Sequence, residues 1–78
     1  MGNFRPLATK CFLAFLDMMG FRYSRTESSH DMYIKKGCLR SIVIRKKDKT
    51  VPAFHIKTNC KTIGCSMSDV YAWADKNC

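Results

Sequence analysis

The hydrophobic pattern of this 78-residue chain changes period twice, and each change falls at a residue that interrupts regular structure. Up to Gly20 the apolar residues recur every three or four positions. Leu7, Cys11, Ala14, Phe15 and Met18 form one stripe, and Phe12, Leu16 and Met19 widen it, which predicts an amphipathic helix. Pro6 suits the first turn of that helix, where a missing N–H costs nothing, and Gly20 suits its end. From Phe21 the pattern alternates. Phe21 and Tyr23 are set against Arg22 and Ser24, and Glu27-Ser28-Ser29 is a polar turn. In the next strand Met32 and Ile34 share one side while Asp31 and Tyr33 share the other. After a Lys36-Gly37 turn, a third strand is expected over 39–46, with Ile42 and Ile44 inward and Arg40 and Lys46 beyond them.

The helical period returns at Pro52. Ala53, Ile56, Cys60 and Ile63 form a stripe that Gly64 closes, and Phe54 lies off it. Ser66 and Asp69 have the spacing of a capping box, which predicts a last short helix with Met67, Val70, Tyr71 and Ala74 on one face. The order is helix, three strands, helix, helix. Short connections imply an antiparallel meander whose one face is covered by the helices. The expected fold is therefore a single α+β domain over residues 1–78, of the double-stranded-RNA-binding type.

Fourteen Lys and Arg against six Asp and Glu give a net charge of +8. A charge of that size on so small a domain implies an anionic partner. No apolar run is long enough to span a bilayer. Residues 1–6 lack the features of a secretory signal, and Pro6 spoils a myristoylation reading of Gly2. The five cysteines are odd in number and scattered, which predicts unpaired, mostly buried thiols and a cytoplasmic location. Cys60 and Cys65 have no second Cys or His pair to complete a zinc set, so no metal or other cofactor is expected.

Two histidines are present. His55 falls off the apolar stripe of its helix and reads as a surface residue. His30, by itself, reads as a turn histidine bonding locally. Gly20-Phe21, Ser28-Ser29-His30, Ile42-Val43-Ile44 and Thr62-Ile63-Gly64-Cys65-Ser66 together give the chain a further meaning. In these segments, and in its order of elements from about Leu7 to Trp73, the chain resembles the HicA family of toxin ribonucleases. Ser28 stands where that family usually has Gly, and Asp31 where many members have a second His. The Pro-Val-His common at the end of the family's third strand is absent.

The resemblance implies a metal-independent endoribonuclease, an mRNA interferase, that is neutralised by a HicB-type antitoxin. It makes His30 the catalytic residue, with Ser28 and Ser29 shaping its turn. The chemistry is coherent on independent grounds. RNA carries its own nucleophile in the 2′-hydroxyl, an imidazole can accept that proton near neutrality, and cations can hold the developing phosphorane charge. Arg25, Lys35, Arg40, Arg45, Lys46 and Lys47 are the expected RNA-binding cations, although such residues also keep exposed strands soluble. Two other readings stay open: a non-catalytic RNA-binding module of the same fold, and a secreted basic domain held by disulfides.

Overall fold

The computed structural model describes residues 4–45 and 47–78. It is a small α+β domain with three helices and a three-stranded antiparallel sheet, together with a short two-stranded ribbon. The elements run β1 (Leu7–Ala8), α1 (Thr9–Met18), β2 (Arg22–Glu27), β3 (His30–Ile34), β4 (Ile42–Arg45), β5 (Thr50–Val51), α2 (Ala53–Ile63) and α3 (Met67–Asn77). The larger sheet has the order β2-β3-β4 and is the expected meander.

Both period changes mark real boundaries, Gly20 between α1 and β2 and Pro52 as the N-cap of α2, and Gly64 ends α2 as expected. After α1, Gly20 adopts a φ of 93° and the Phe21 N–H donates to the Leu16 carbonyl, which turns the chain into β2. After α2, Gly64 takes a φ of 88° and its N–H, like that of Cys65, donates to the Cys60 carbonyl. Only a residue without Cβ adopts these left-handed conformations freely. The capping box of α3 is formed in both directions. The Asp69 N–H donates to Ser66 Oγ at 3.1 Å, and the Ser66 N–H donates to Asp69 Oδ2 at 3.2 Å.

The structure corrects the first helix. It begins at Thr9 rather than in the turn containing Pro6, because Leu7 and Ala8 pair with Val51 and Thr50 instead. The Thr9 N–H donates to the Lys49 carbonyl and its hydroxyl to the Asp48 carbonyl, each at 2.8 Å. A two-residue strand is too short to leave an alternating pattern, so neither β1 nor β5 was visible in the sequence. The inward stripe of α1 is Cys11, Phe12, Phe15 and Leu16, while Ala14 and Met18 face solvent. The third strand of the meander is also shorter than expected. Leu39 and Arg40 belong to an exposed connection, β4 spans Ile42–Arg45, and Lys46 lies outside the described residues, as does Gly2.

The core is continuous. Phe12, Phe15 and Leu16 of α1 meet Ile42 and Ile44 of β4, Ile56 and Cys60 of α2, and Val70, Tyr71 and Ala74 of α3. Burying each large side chain contributes about 1.5–3 kcal/mol, and among the described residues no charged side chain is buried. Tyr33 pairs with Ile42 and Asp31 with Ile44, so these residues share the core-side face of the sheet. Met32 and Ile34 lie on the opposite, open face. On the core-side face the Thr26 hydroxyl donates to the Asp31 carboxylate across the strands at 2.6 Å.

The cysteines are corrected as well. Cys11 on α1 and Cys78 at the end of α3 form a disulfide, their Cα atoms 6.0 Å apart. Cys38, Cys60 and Cys65 remain free thiols. Sequence spacing gave no hint of the pair, because packing of α3 on α1 is what brings its members together. No helix among the described residues is long and apolar enough to cross a membrane.

Candidate nucleic-acid interface

His30 is the first residue of β3 and follows a two-residue turn made by Ser28 and Ser29. Ser28 has a φ of 56° and is the one non-glycine residue with positive φ among the described residues. It occupies the first turn position, which hairpins often give to glycine because a Cβ is strained there. The turn aims His30 onto the open face. Its cross-strand neighbours are Glu27 on one side and Arg45 on the other. Glu27 Oε2 accepts from Arg25 Nε at 2.6 Å, and Arg45 Nε lies 3.7 Å from Asp48 Oδ2.

The open face of β3 and β4 is one wall of a groove of about 480 Å³. His30, Val43 and Arg45 supply this wall, Arg40 and Ser41 close it from the connection before β4, and His55, Thr58, Asn59 and Thr62 of α2 form the opposite wall. The helical contribution follows from spacing. Positions 55, 58, 59 and 62 recur as i, i+3, i+4 and i+7, so they lie on one face. The residues at 56, 60 and 63 turn the other face into the core. No carboxylate is among the lining residues, so the groove joins two imidazoles, two guanidiniums and neutral hydrogen-bonding groups. A volume of this size accommodates a small ligand or a nucleotide-sized unit of a longer one. A second depression of about 390 Å³, lined by Glu27, Ser28, His30, Met32 and Val43, continues the surface past His30.

The predicted cations are dispersed. Arg40 and Arg45 line the groove with His30. Arg25 is on the same open face but engaged by Glu27. Lys47 is exposed in the turn after β4. Lys35 lies at the far end of β3, its ammonium 5.8 Å from the centre of the Phe21 ring, beside Lys36, Gly37 and Cys38. Ser29 is half-buried in the turn.

His55 is the residue that sequence reasoning passed over. It is half-buried, its ring centre is 4.3 Å from that of exposed Phe54, and it faces the groove. The signal was present as the polar stripe of His55, Thr58, Asn59 and Thr62, but periodicity alone does not reveal that this stripe meets the sheet face carrying His30.

The thiols near this end of the molecule have a different character. Burial pushes the Cys60 thiol up to about 12, reinforced by Cys65 and Asp69. Burial also raises the neighbouring Cys65 thiol. Both are therefore poor nucleophiles at neutral pH. Comparison of the chain with protein-family models, curated proteins and solved structures finds no match to any of them.

Proposed function

We propose that the chain is a metal-independent endoribonuclease of the HicA type, an mRNA interferase built on a fold of the double-stranded-RNA-binding type. The single observation that carries this reading is the position of His30. It lies in a groove free of lining carboxylates and directly across the strand pair from Arg45. In this reading the His30 imidazole takes the proton of a 2′-hydroxyl, whose oxygen then attacks the adjacent phosphorus. Arg45 and Arg40 hold the phosphate and the charge that grows on it. Arg25 and Lys47 extend the contact to flanking phosphates. An acidic antitoxin of the HicB type would inhibit by covering the groove, with affinity that falls as salt rises.

The test is to follow cleavage and binding of one RNA by the wild type and by His30→Ala, with a second RNA carrying a 2′-deoxy substitution at the cut site. The expected result is a 2′,3′-cyclic phosphate product that forms in the presence of chelators, is lost with the 2′-hydroxyl, and is lost in His30→Ala without loss of binding. Equal cleavage by the two proteins overturns the assignment. Binding without cleavage by either identifies the non-catalytic RNA-binding module, for which the glycine-to-serine difference at Ser28 supplies a physical cause.

We place this activity in the cytoplasm, where messenger RNA is. The Cys11–Cys78 disulfide favours the other reading, a basic domain of an oxidising compartment. Counting thiols in protein denatured under non-reducing conditions separates the two. Five free thiols remove the secreted reading, and three show that the bond forms where the protein resides.

A further inference from the structure

The groove places a second imidazole opposite the first, and the ribonuclease reading above uses only one. We propose that His55 is a catalytic general acid, which protonates the departing 5′-oxygen while His30 accepts the proton of the 2′-hydroxyl. The proposal rests on that ribonuclease reading and deepens it.

Three observations carry it. His30 and His55 are the only histidines in the chain, they come from different elements, and they line opposite walls of one groove. The Phe54 and His55 ring centres are 4.3 Å apart at an interplanar angle of 62°, so the imidazole has an aromatic neighbour on its own helix. Arg40 and Arg45 line the same groove, Arg45 from the sheet wall and Arg40 from the connection before β4, so a bound phosphodiester would present its non-bridging oxygens to them. A phosphate held there has a 2′-oxygen on one side and a 5′-oxygen on the other, and in-line displacement requires the base and the acid on opposite sides.

The step balances. The 2′-oxygen forms a bond to phosphorus as its proton passes to the His30 imidazole. The phosphorus–O5′ bond breaks, and O5′ takes a proton from the His55 imidazolium. The products are a 2′,3′-cyclic phosphate and a 5′-hydroxyl, and the protein is left with His30 protonated and His55 neutral. Exchange of both protons with water restores the starting state. No oxidant, metal or further reactant is needed.

The charges facing the two rings are defined. Glu27 and Arg45 flank His30 across the strands. His55 is faced by His30 of β3, Arg45 of β4 and Arg40 of the preceding connection. It also borders a narrow cleft with Asp48 and Thr9. Cleavage needs one neutral and one protonated imidazole, so its rate is expected to be bell-shaped in pH.

The experiment compares two substrates, an RNA dinucleotide and a uridine 3′-(4-nitrophenyl phosphate). The nitrophenolate of the second leaves without needing a proton. His55→Ala is expected to slow the dinucleotide about 100-fold or more, and to slow it at least tenfold more than it slows the aryl ester. It is also expected to remove the alkaline limb of the pH profile. His30→Ala is expected to slow both substrates by similar factors, since both need the 2′-hydroxyl deprotonated. His55→Gln, which keeps a hydrogen-bonding side chain of similar reach, is expected to behave as His55→Ala.

Equal slowing of both substrates by His55→Ala overturns the proposal, because misfolding or lost binding acts on both alike. Recovery in His55→Gln also overturns it, since an amide cannot donate the proton. An unaffected rate in His55→Ala, with His30→Ala inactive, removes His55 and leaves the ribonuclease reading intact. Failure of the wild type to cleave either substrate removes both.

Discussion

The two ends of this molecule are built to opposite specifications. At one end the chain termini are clasped together. Cys11 is bonded to Cys78, Arg5 Nη2 meets Asp75 Oδ1 at 2.9 Å, and the Tyr71 hydroxyl donates to the Arg5 carbonyl. Phe4 stacks on Tyr71 with ring centres 5.5 Å apart, and Phe15 meets Trp73 edge-on at 5.7 Å. At the other end, the Ser28–Ser29 turn holds a non-glycine residue in a left-handed conformation and presents His30 to solvent beside unburied cations. The first end spends its side chains on one another. The second presents imidazoles and guanidiniums at the surface, with Arg25 beside Glu27 and Arg45 beside Asp48. In a domain of this size the stability margin is small, and such a division lets strain and exposed charge be carried at the groove because the termini are closed.

On the proposed ribonuclease reading, perturbing the groove is expected to change activity with little effect on stability, and perturbing the clasp to do the reverse. The largest effect is expected for His30→Ala, which lowers RNA cleavage about 100- to 10,000-fold while leaving the thermal midpoint within a few degrees of wild type. A large fall in the midpoint would show that the hairpin is structural.

Next in size is Cys78→Ser. It removes a link between residues 67 apart in sequence and is expected to cost about 2–4 kcal/mol in chemical denaturation. Cleavage per folded molecule should be retained. Loss of activity in the folded variant would couple the two ends and break the comparison.

The third effect comes from the buried thiol of α2. Burial raises Cys60 from an ordinary 9.0 to about 12. The neutral thiol is the form that the fold favours, so its contribution is fully present below pH 9 and is lost as pH rises toward 12. Stability should fall by about 1 kcal/mol per pH unit above that threshold. The slope should be shallower in Cys60→Ala. It should not vanish, because burial also raises the Tyr71 and Tyr33 hydroxyls. An unchanged slope in Cys60→Ala would remove the thiol from the account.

The smallest effect is expected from Ser28→Gly, which relieves the positive φ and should stabilise the domain by about 0.5–1 kcal/mol. Its activity readout is the sharper one. Increased cleavage would show that the serine misaims His30, whereas unchanged cleavage would show that the turn geometry is already productive.

The sequence by itself determined the elements whose signals are local. Gly20 and Gly64 ended helices because backbone conformation at those positions is set by the absence of Cβ. The Ser66–Asp69 box formed because its two partners are three residues apart. Ile42 and Ile44 went inward because alternation along a strand leaves them no other side. Everything that depended on distant partners was decided only in three dimensions. The Leu7–Ala8 pairing with Thr50–Val51, the Cys11–Cys78 bond and the burial of Phe12 and Leu16 ahead of Ala14 and Met18 follow from which helix packs where. The candidate site divides in the same way. The turn before His30 was legible, while the role given to His30 came from the family resemblance; the stripe of His55, Thr58, Asn59 and Thr62 became a wall of the groove only when the core residues on the far side of α2 fixed the helix's rotation against the sheet. Hydrophobic burial acts between segments far apart in the chain and sets that rotation, so a polar face acquires its neighbours only after the apolar face has found its own.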